Sequence, residues 1–304
     1  MTHGDTVLLA PWLRRADVDG RIVLEYADEL AFLGGPARPL LDALLPLLDG
    51  TRRADELAEA VEEPAARVDG LLAVLSEHGL VVAGPPADAT ATLCAALAIP
   101  PSSPAGVAAR LGVARLAVIG RAQCASELCR LVEPSLGDVR RAGWDGAVAA
   151  DLVVVAPAPE ELPLLAGWNE AALEARQPWL LVLPYNGRLA ALGPLFLPGE
   201  TCCYECFRRR RAAALDEHDV LPLLDREPAG YPDAPALAAA SAGLAATLAL
   251  RWLGFADAYV PGMLYALELG GGLAIDAHRV LRLPRCPACS PVADAAPALP
   301  WPMA

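Results

Sequence analysis

The sequence predicts an α/β protein with an N-terminal winged-helix domain and a larger domain built on a central sheet. Three observations carry this prediction. Strand-like and helical segments follow one another over residues 1–84, buried strands alternate with helices after residue 113, and two Cys-x-x-Cys pairs lie far apart in the C-terminal half. The length of 304 residues suits about two domains.

Residues 1–84 show the pattern of two strands, three helices and a final strand. The stretch RIVLEYADELAFL, residues 21–33, is rich in β-branched and aromatic residues on either side of a turn-like Ala-Asp, and predicts two short strands. Apolar stripes predict helices after residue 36, after Thr51 as the cap, and over residues 64–78. LVV then closes the segment as a strand. This order is typical of a winged-helix domain.

Residues 85–112 are predicted to be a linker. Pro, Gly and Ser punctuate the stretches GPPADAT and IPPSSPAG, with a short helical segment, ATLCAALA, between them. The C-terminal stretch PVADAAPALPWPMA, residues 291–304, is rich in proline and predicts an extended tail.

Residues 113–290 are predicted to form the second domain. The apolar stretches ARLAVIG, DLVVVAP and PWLLVLPY alternate with helical segments, which is typical of a parallel sheet covered on both faces. Two more strand-like stretches, MLYALELG and GLAIDAHRVLRL, precede the last cysteine pair. The uncharged stretch at residues 234–250 is long enough to approach a membrane span. It is dominated by weakly apolar alanine, so we expect a buried helix and no membrane partner.

Charge and composition exclude several classes of function. The formal net charge of −13 opposes nucleic acid as the main partner, because binding to nucleic acid needs clustered cations. All 24 basic residues are arginine, so chemistry that depends on lysine is not available. The N-terminus has no basic region followed by an apolar run, so we expect a cytoplasmic protein without disulfides.

The two cysteine pairs predict a metal site. Cys203 with Cys206 and Cys286 with Cys289 supply four thiolates, which is a complete tetrahedral shell for structural zinc. The alternatives are a redox dithiol and free buried thiols. Cys202 lies outside the Cys-x-x-Cys spacing and is interpreted as a bystander.

An arginine run follows the first cysteine pair. Arg208–Arg211, with Arg285, could offset the net charge of about −2 that four thiolates leave on zinc, or could form an exposed basic helix face. The other cysteines, Cys94, Cys124 and Cys129, are predicted to be packed thiols without a role.

The stretch GPLFLPGETCCYECFRRR, followed by an alanine-rich helix and LPRCPACS, resembles the C-terminal part of the E1-like (ThiF/MoeB) superfamily. That superfamily adenylates carboxylates with ATP and holds a structural zinc on such cysteines. The resemblance covers residues 113–290 and implies a Rossmann-like domain. The glycine-rich turn keeps only Gly120 and continues with Arg121, and the second strand ends in alanines and prolines without the expected aspartate. The superfamily also uses a lysine near the phosphates, and this chain has none. The domain is therefore predicted to be degenerate, without ATP chemistry or catalytic residues.

The N-terminal part carries a second resemblance. LAPWLRR, then VLEYADELAFLGGPARPLLDALLPLLDG and the three-helix module, resemble the RiPP recognition element, which binds leader peptides. Both parts together resemble the ocin-ThiF-like proteins of thiazole/oxazole-modified peptide pathways, including thiopeptide pathways. This implies a non-catalytic accessory subunit, with a precursor leader peptide and a separate YcaO cyclodehydratase as partners. A homodimer is a further expectation from the E1-like resemblance.

The hypothesis for leader binding is the addition of a strand to the edge around residues 30–33. Pockets between that strand and the third helix would give specificity. The candidate peptide-binding residues are Leu30, Ala31, Phe32, Leu33, Val68, Leu72 and Leu75. Simple core packing remains the alternative for each of them, and strand alternation lets only one face of the strand line the groove.

Two other functions remain as hypotheses. The first is a divergent E1-like enzyme that adenylates a peptide or carrier-protein carboxylate. The second is a DNA-binding regulator, which the charge opposes, because residues 1–84 hold seven arginines against fifteen acidic residues. The third predicted helix offers only Arg67 beside Asp69 and Glu77, and groove-reading helices need basic contacts to phosphate.

Overall fold

The computed structural model describes residues 5–26, 29–145, 148–215, 234–270 and 272–290. The predicted extended tail, residues 291–304, lies outside the described residues.

The chain divides into two compact units. One consists of Met1–Gly112 with Gly254–Ala256, and the other of Val113–Leu253 with Asp257–Ala304. The predicted α/β class is confirmed, because the second unit holds a seven-stranded mixed sheet with helices.

The first unit contains two three-stranded antiparallel sheets. One has the strand order β5-β1-β6 and the other β2-β3-β4. The strands are β1 (Thr6–Leu9), β2 (Arg14–Val18), β3 (Arg21–Tyr26), β4 (Glu29–Leu33), β5 (Asp49–Arg53) and β6 (Val81–Ala83). The last two strands of the second sheet are the pair that the sequence predicts. The winged-helix assignment stays a prediction.

Five helices accompany these sheets. They are α1 (Arg38–Leu44), α2 (Ala54–Ala60), α3 (Ala65–Glu77), α4 (Ala89–Leu97) and α5 (Pro104–Leu111). The last two occupy most of the predicted linker. Asp88 caps α4 through its carboxylate and Ser103 caps α5 through its hydroxyl, with Pro104 in the first turn. The Pro and Ser residues therefore mark helix starts, and the helices bury Cys94 and Leu111.

The sheet of the second unit has the order β13-β12-β11-β10-β9-β7-β8. Its strands are β7 (Arg115–Ile119), β8 (Asp138–Arg141), β9 (Leu152–Val155), β10 (Trp179–Leu183), β11 (Leu189–Phe196), β12 (Met263–Glu268) and β13 (Ala274–Arg279). Strands β7 to β10 pair in parallel, as predicted, and β10 to β13 pair antiparallel. The direction changes after β10 because the connection to β11 is a short turn, which is too short for a parallel crossover. In that turn Asn186 Oδ1 accepts hydrogen bonds from the backbone N–H groups of Arg188 and Leu189.

Four helices belong to the described residues of this part of the chain. They are α6 (Gln123–Val132), α7 (Leu165–Glu174), α8 (Tyr204–Ala213) and α9 (Pro235–Phe255). Among the described residues, α9 alone is long and apolar enough to cross a membrane, judged by length and composition. Ala238, Ala242 and Ala249 on one side of α9 are at most 4% exposed. This alanine face is buried, but only 39% of the most apolar 18-residue stretch of α9 is buried, so the predicted core helix is buried on one side.

Candidate metal centre and peptide-binding edge

The first cysteine pair lies at the beginning of α8. Strand β11 leads into a tight turn in which Thr201 Oγ1 accepts a hydrogen bond from the Leu197 N–H at 2.8 Å. Cys203 is the residue before α8, and Cys206 lies in its first turn. Residues three apart lie on the same side of a helix, so both Sγ atoms emerge together. They are 3.8 Å apart.

A buried asparagine fixes this helix start. Asn169, which is 2% exposed, accepts a hydrogen bond through Oδ1 from the Tyr204 N–H at 2.9 Å. The first N–H groups of a helix have no partner within the helix, so this bond satisfies one of them. The Tyr204 ring lies 6.3 Å from the Trp179 ring, between centroids, which ties the cysteine pair to the core around β10.

The second cysteine pair forms a turn after β13. The Cys286 N–H donates to the Leu283 carbonyl at 3.3 Å, and the Ser290 N–H donates to the Cys286 carbonyl at 3.0 Å. These bonds fold residues 283–290 so that Cys286 and Cys289 point toward the first pair.

All four sulfurs converge. Cys286 Sγ lies 3.6 Å from Cys203 Sγ, and Cys289 Sγ lies 3.6 Å from Cys206 Sγ. The four atoms lie within 4.8 Å of one another, and three of the four residues are buried. Four sulfurs at about 2.3 Å from one zinc ion would be about 3.8 Å apart at the edges of a tetrahedron. The spacing therefore fits a four-thiolate metal ion, and it is too wide for disulfide bonds.

Hydrogen bonds and burial shift the pKa values of these cysteines in opposite directions. The Cys203 thiol donates a hydrogen bond to Cys206 Sγ and the Leu283 N–H donates a second, and these bonds lower the pKa of Cys206. The same hydrogen bond, together with burial, raises the pKa of Cys203. Burial raises the pKa of Cys289 to about 11. Metal binding must displace the remaining thiol protons.

The other cysteines lie outside the cluster. Cys202 is 2% exposed, and burial raises its pKa to about 12, so it remains a neutral thiol. Cys94 and Cys124 are buried and Cys129 is half-buried, and none of the eight cysteines forms a disulfide.

Arg209, Arg210 and Arg211 are exposed on α8, as the predicted exposed helix face requires. Arg208 and Arg209 pair with Glu205, with N–O distances of 2.8 and 2.5 Å. Arg210 donates to the carbonyl oxygens of Leu281 and Arg282, the latter at 3.3 Å. Arg210 therefore fastens the segment after β13 to α8, next to the four-cysteine cluster.

The carboxyl ends of β7 and β9 carry a buried carboxylate that the sequence did not single out. Glu161 is 5% exposed, and its two oxygens accept hydrogen bonds from four donors. These are the N–H groups of Arg121 and Ala158, the Arg121 guanidinium and the Trp144 indole. This is the edge where the E1-like resemblance places the phosphates of ATP. Glu161 lies buried at this edge and pairs with the exposed Arg121 side chain.

Strand β4 is an edge strand with two different faces. It pairs with β3 only, so its other edge has no strand partner among the described residues. Leu30 and Phe32 are 55% and 54% exposed. Ala31 and Leu33 lie on the opposite face and pack against the core of the first unit. The Arg21 guanidinium lies 5.2 Å from the centre of the Phe32 ring.

The predicted helix residues face inward. Val68, Leu72 and Leu75 are at most 4% exposed and belong to the core of the first unit. The exposed large apolar residue of α3 is Val74, which is 47% exposed, one turn after the exposed Gly70. Leu72 also lines a groove of about 840 Å³ between α3 and β6. The sequence pattern finds the buried stripe of a helix more readily than an exposed apolar position beside it.

No family model matches the sequence, and no curated protein matches it. Solved structures do match. The heterocyclase TruD shares 25% identity with a TM-score of 0.74, and the match covers 94% of this chain and 43% of TruD. A heterocyclase in complex with substrate and cofactor shares 24% identity with a TM-score of 0.72, over 94% of this chain and 40% of the other.

E. coli MccB has the same fold at 15% identity, with a TM-score of 0.66 over 93% of this chain and 96% of MccB. MccB is a biosynthetic enzyme of microcin C7 and has been seen in complex with N-formylated MccA. These structures support the E1-like superfamily that the cysteine motif suggests. The chain spans about two fifths of the length of the heterocyclase structures, 40% and 43%.

Proposed function

We propose that this chain captures the leader segment of a ribosomally made precursor peptide and delivers it to a separate YcaO cyclodehydratase. That enzyme would form azoline rings at Cys, Ser or Thr residues of the precursor. The observation that carries the proposal is the likeness to the heterocyclases, which extends over 94% of this chain. The other neighbour, MccB, also acts in the biosynthesis of a peptide product.

The leader would bind by adding a strand to β4. An edge strand offers unpaired backbone N–H and C=O groups, which supply affinity for any extended peptide. Side chains of the leader would alternate between the two faces, one near Ala31 and Leu33 and the other beside Leu30 and Phe32. Among the described residues the first unit has four edge strands, of which β2, β4 and β5 have five residues each and β6 has three, so length alone disfavours only β6.

The cysteine cluster would hold structural zinc. Four thiolates with near-tetrahedral spacing leave no open position for a substrate or a water, which is the arrangement of a structural site. Zinc would hold the turn of Cys286 and Cys289 against α8, where Arg210 already bonds to the preceding segment.

We further propose that the chain is a non-catalytic accessory subunit in the cytoplasm, and that ATP binds to the YcaO partner. Two observations support a non-catalytic role: Glu161 lies at the carboxyl ends of the parallel strands, and the chain has no lysine. The alternative remains a divergent adenylating enzyme. ATP–pyrophosphate exchange above background with a peptide or carrier-protein carboxylate would favour that alternative. A homodimer stays a prediction.

Reconstitution tests the proposal. The full chain, the YcaO enzyme and the full-length precursor are combined with ATP, and ring formation is followed by mass spectrometry as the loss of one water per ring. We expect ring formation to need both this chain and the leader. Phe32→Asp, on the free edge of β4, should slow it, whereas Val18→Asp should not. Val18 is the matched control, because it is 47% exposed on β2, the opposite edge strand of the same sheet. Equal turnover with and without this chain would contradict the proposal.

A further inference from the structure

Glu161 lies at the centre of a ring of hydrogen-bond donors. Its Oε2 accepts from the Arg121 N–H at 2.7 Å and from the Ala158 N–H at 2.8 Å. Its Oε1 accepts from Arg121 Nε and from Trp144 Nε1, both at 3.1 Å. These four donors come from the loops after β7, β8 and β9, so three separate segments of the chain converge on one carboxylate.

The arrangement exceeds what a helix start needs. Glu161 is the third residue of a short 3₁₀ turn, and its bond to the Ala158 N–H is the return half of a capping box. That role explains one of the four donors. The other three come from residues 17 and 40 positions away in the chain. A buried carboxylate without donors would bind a proton, whereas this one has two donors on each oxygen.

The location is that of a ligand site. In doubly wound sheets, anionic ligands bind at the carboxyl ends of the parallel strands, where loop amides point outward. Gly120 retains the geometry that such a loop requires. Its φ is +100°, and a Cβ there would lie 2.1 Å from the Ala156 oxygen. The backbone N–H of Arg121, which follows Gly120, donates to the Glu161 carboxylate of the same chain.

We propose that the Glu161 carboxylate is a built-in oxyanion, which occupies a site whose donors would otherwise bind a phosphate or carboxylate group of a ligand. The shared chemistry is a planar or tetrahedral oxyanion that accepts two hydrogen bonds on each of two oxygens. This carboxylate keeps the edge of the sheet closed to nucleotides. The inference does not depend on leader binding.

The experiment removes the carboxylate and supplies anions from solution. Melting temperatures are measured in formate, phosphate and chloride at equal ionic strength for three proteins: Glu161→Ala, the native protein and the control Glu160→Ala. The melting temperature of the native protein is also measured with Mg²⁺-ATP. Glu160 is the matched control, because it has the same charge on the same turn and also pairs with Arg121, yet its side chain is 56% exposed. Formate tests whether the donors bind a carboxylate group, and phosphate tests whether they bind a phosphate group.

We expect Glu161→Ala to melt lower than the native protein in chloride. In formate or phosphate it should recover about 3–6 °C at about tenfold above the anion Kd. The native protein and Glu160→Ala should respond to neither anion, and the native protein should not respond to Mg²⁺-ATP. Equal melting of Glu161→Ala in all three anions would overturn the proposal, as would stabilisation of the native protein by Mg²⁺-ATP. If Glu161→Ala is insoluble in chloride, it is refolded in each anion. Recovery in formate or phosphate alone then supports the proposal, and failure in all anions overturns it.

Discussion

Replacement of Cys286 by serine removes one corner of the metal cluster. Cys286 is fully buried, and its Sγ lies 3.6 Å from Cys203 Sγ. A serine hydroxyl is a shorter and harder ligand that stays protonated at neutral pH, so it replaces a thiolate poorly on zinc. The turn of residues 283–290 would then keep only Cys289 as a ligand that ties it to α8.

The expected magnitude follows from the number of ligands. A structural zinc supplies about 10–16 kcal/mol of apparent binding energy, so one thiolate of four contributes about 2.5–4 kcal/mol on an even division. For a domain of about 150–250 residues, each kcal/mol shifts the melting temperature by about 2–4 °C. We therefore expect Cys286→Ser to melt about 5–16 °C below the native protein.

The assay measures bound metal and the melting temperature on the same preparations. Cys202→Ser is the matched control, because Cys202 is adjacent to the cluster and 2% exposed but supplies no sulfur to it. We expect one zinc per chain in the native protein and in Cys202→Ser, and less in Cys286→Ser. If Cys286→Ser keeps a full equivalent of zinc and melts with the native protein, the ligand assignment is wrong.

Three further predictions concern metal, backbone and pH. Dialysis against a strong chelator should lower the melting temperature of the native protein by more than that of Cys286→Ser, which has less metal to lose; equal effects on both would contradict a zinc clamp. Gly120→Ala should lower the free energy of unfolding by more than about 3 kcal/mol, because the new Cβ meets a carbonyl oxygen at 2.1 Å. Gly243 lies in α9 with open space where a Cβ would be, so Gly243→Ala should raise the free energy of unfolding by about 0.5–1 kcal/mol. Denaturant titration measures both variants, and equal free energies of unfolding would contradict the packing described around Gly120. Burial opposes ionisation of Glu161, but its hydrogen bonds outweigh burial and hold its pKa below the ordinary value. The ionised carboxylate therefore stabilises the fold at pH values above the pKa of Glu161 in the unfolded chain, and this stabilisation is lost as the pH falls through the pKa of Glu161 in the folded protein. The free energy of unfolding of Glu161→Gln should therefore fall less steeply than that of the native protein as the pH is lowered.

The four-cysteine cluster could be predicted from the sequence because the spacing within each pair is local. Each Cys-x-x-Cys pair fixes two sulfurs within one turn, and four thiols then suffice for a metal ion. The buried strands of the large sheet could be predicted for a similar reason, since unbroken apolar runs such as residues 152–155 have few other uses. The edge strand β8 carries the sequence DVRR, which has no apolar pattern, and it was not predicted.

The missed features depend on contacts between distant residues. Thr51 was expected to cap a helix, but residues 49–53 form β5, which pairs with β1. The Asp49 carboxylate accepts hydrogen bonds from the Thr51 N–H and hydroxyl, so the polar pair stabilises the strand start and not a helix. Glu161 gave no sequence signal, because two of its donor residues lie 17 and 40 positions away. Val68 and Leu75 have the same periodicity whether they line a groove or a core, and only their burial separates the two roles.

Leader binding to the free edge of β4 is the central claim, and fluorescence anisotropy measures it directly. A labelled peptide, taken from the leader of a precursor encoded beside the gene, is titrated with the native full-length chain, with Phe32→Asp and with Val18→Asp. The account predicts saturable binding by the native chain, unchanged binding by Val18→Asp and at least about tenfold weaker binding by Phe32→Asp, which corresponds to about 1.4 kcal/mol. No binding by the native chain, or equal affinities for all three proteins, would contradict it.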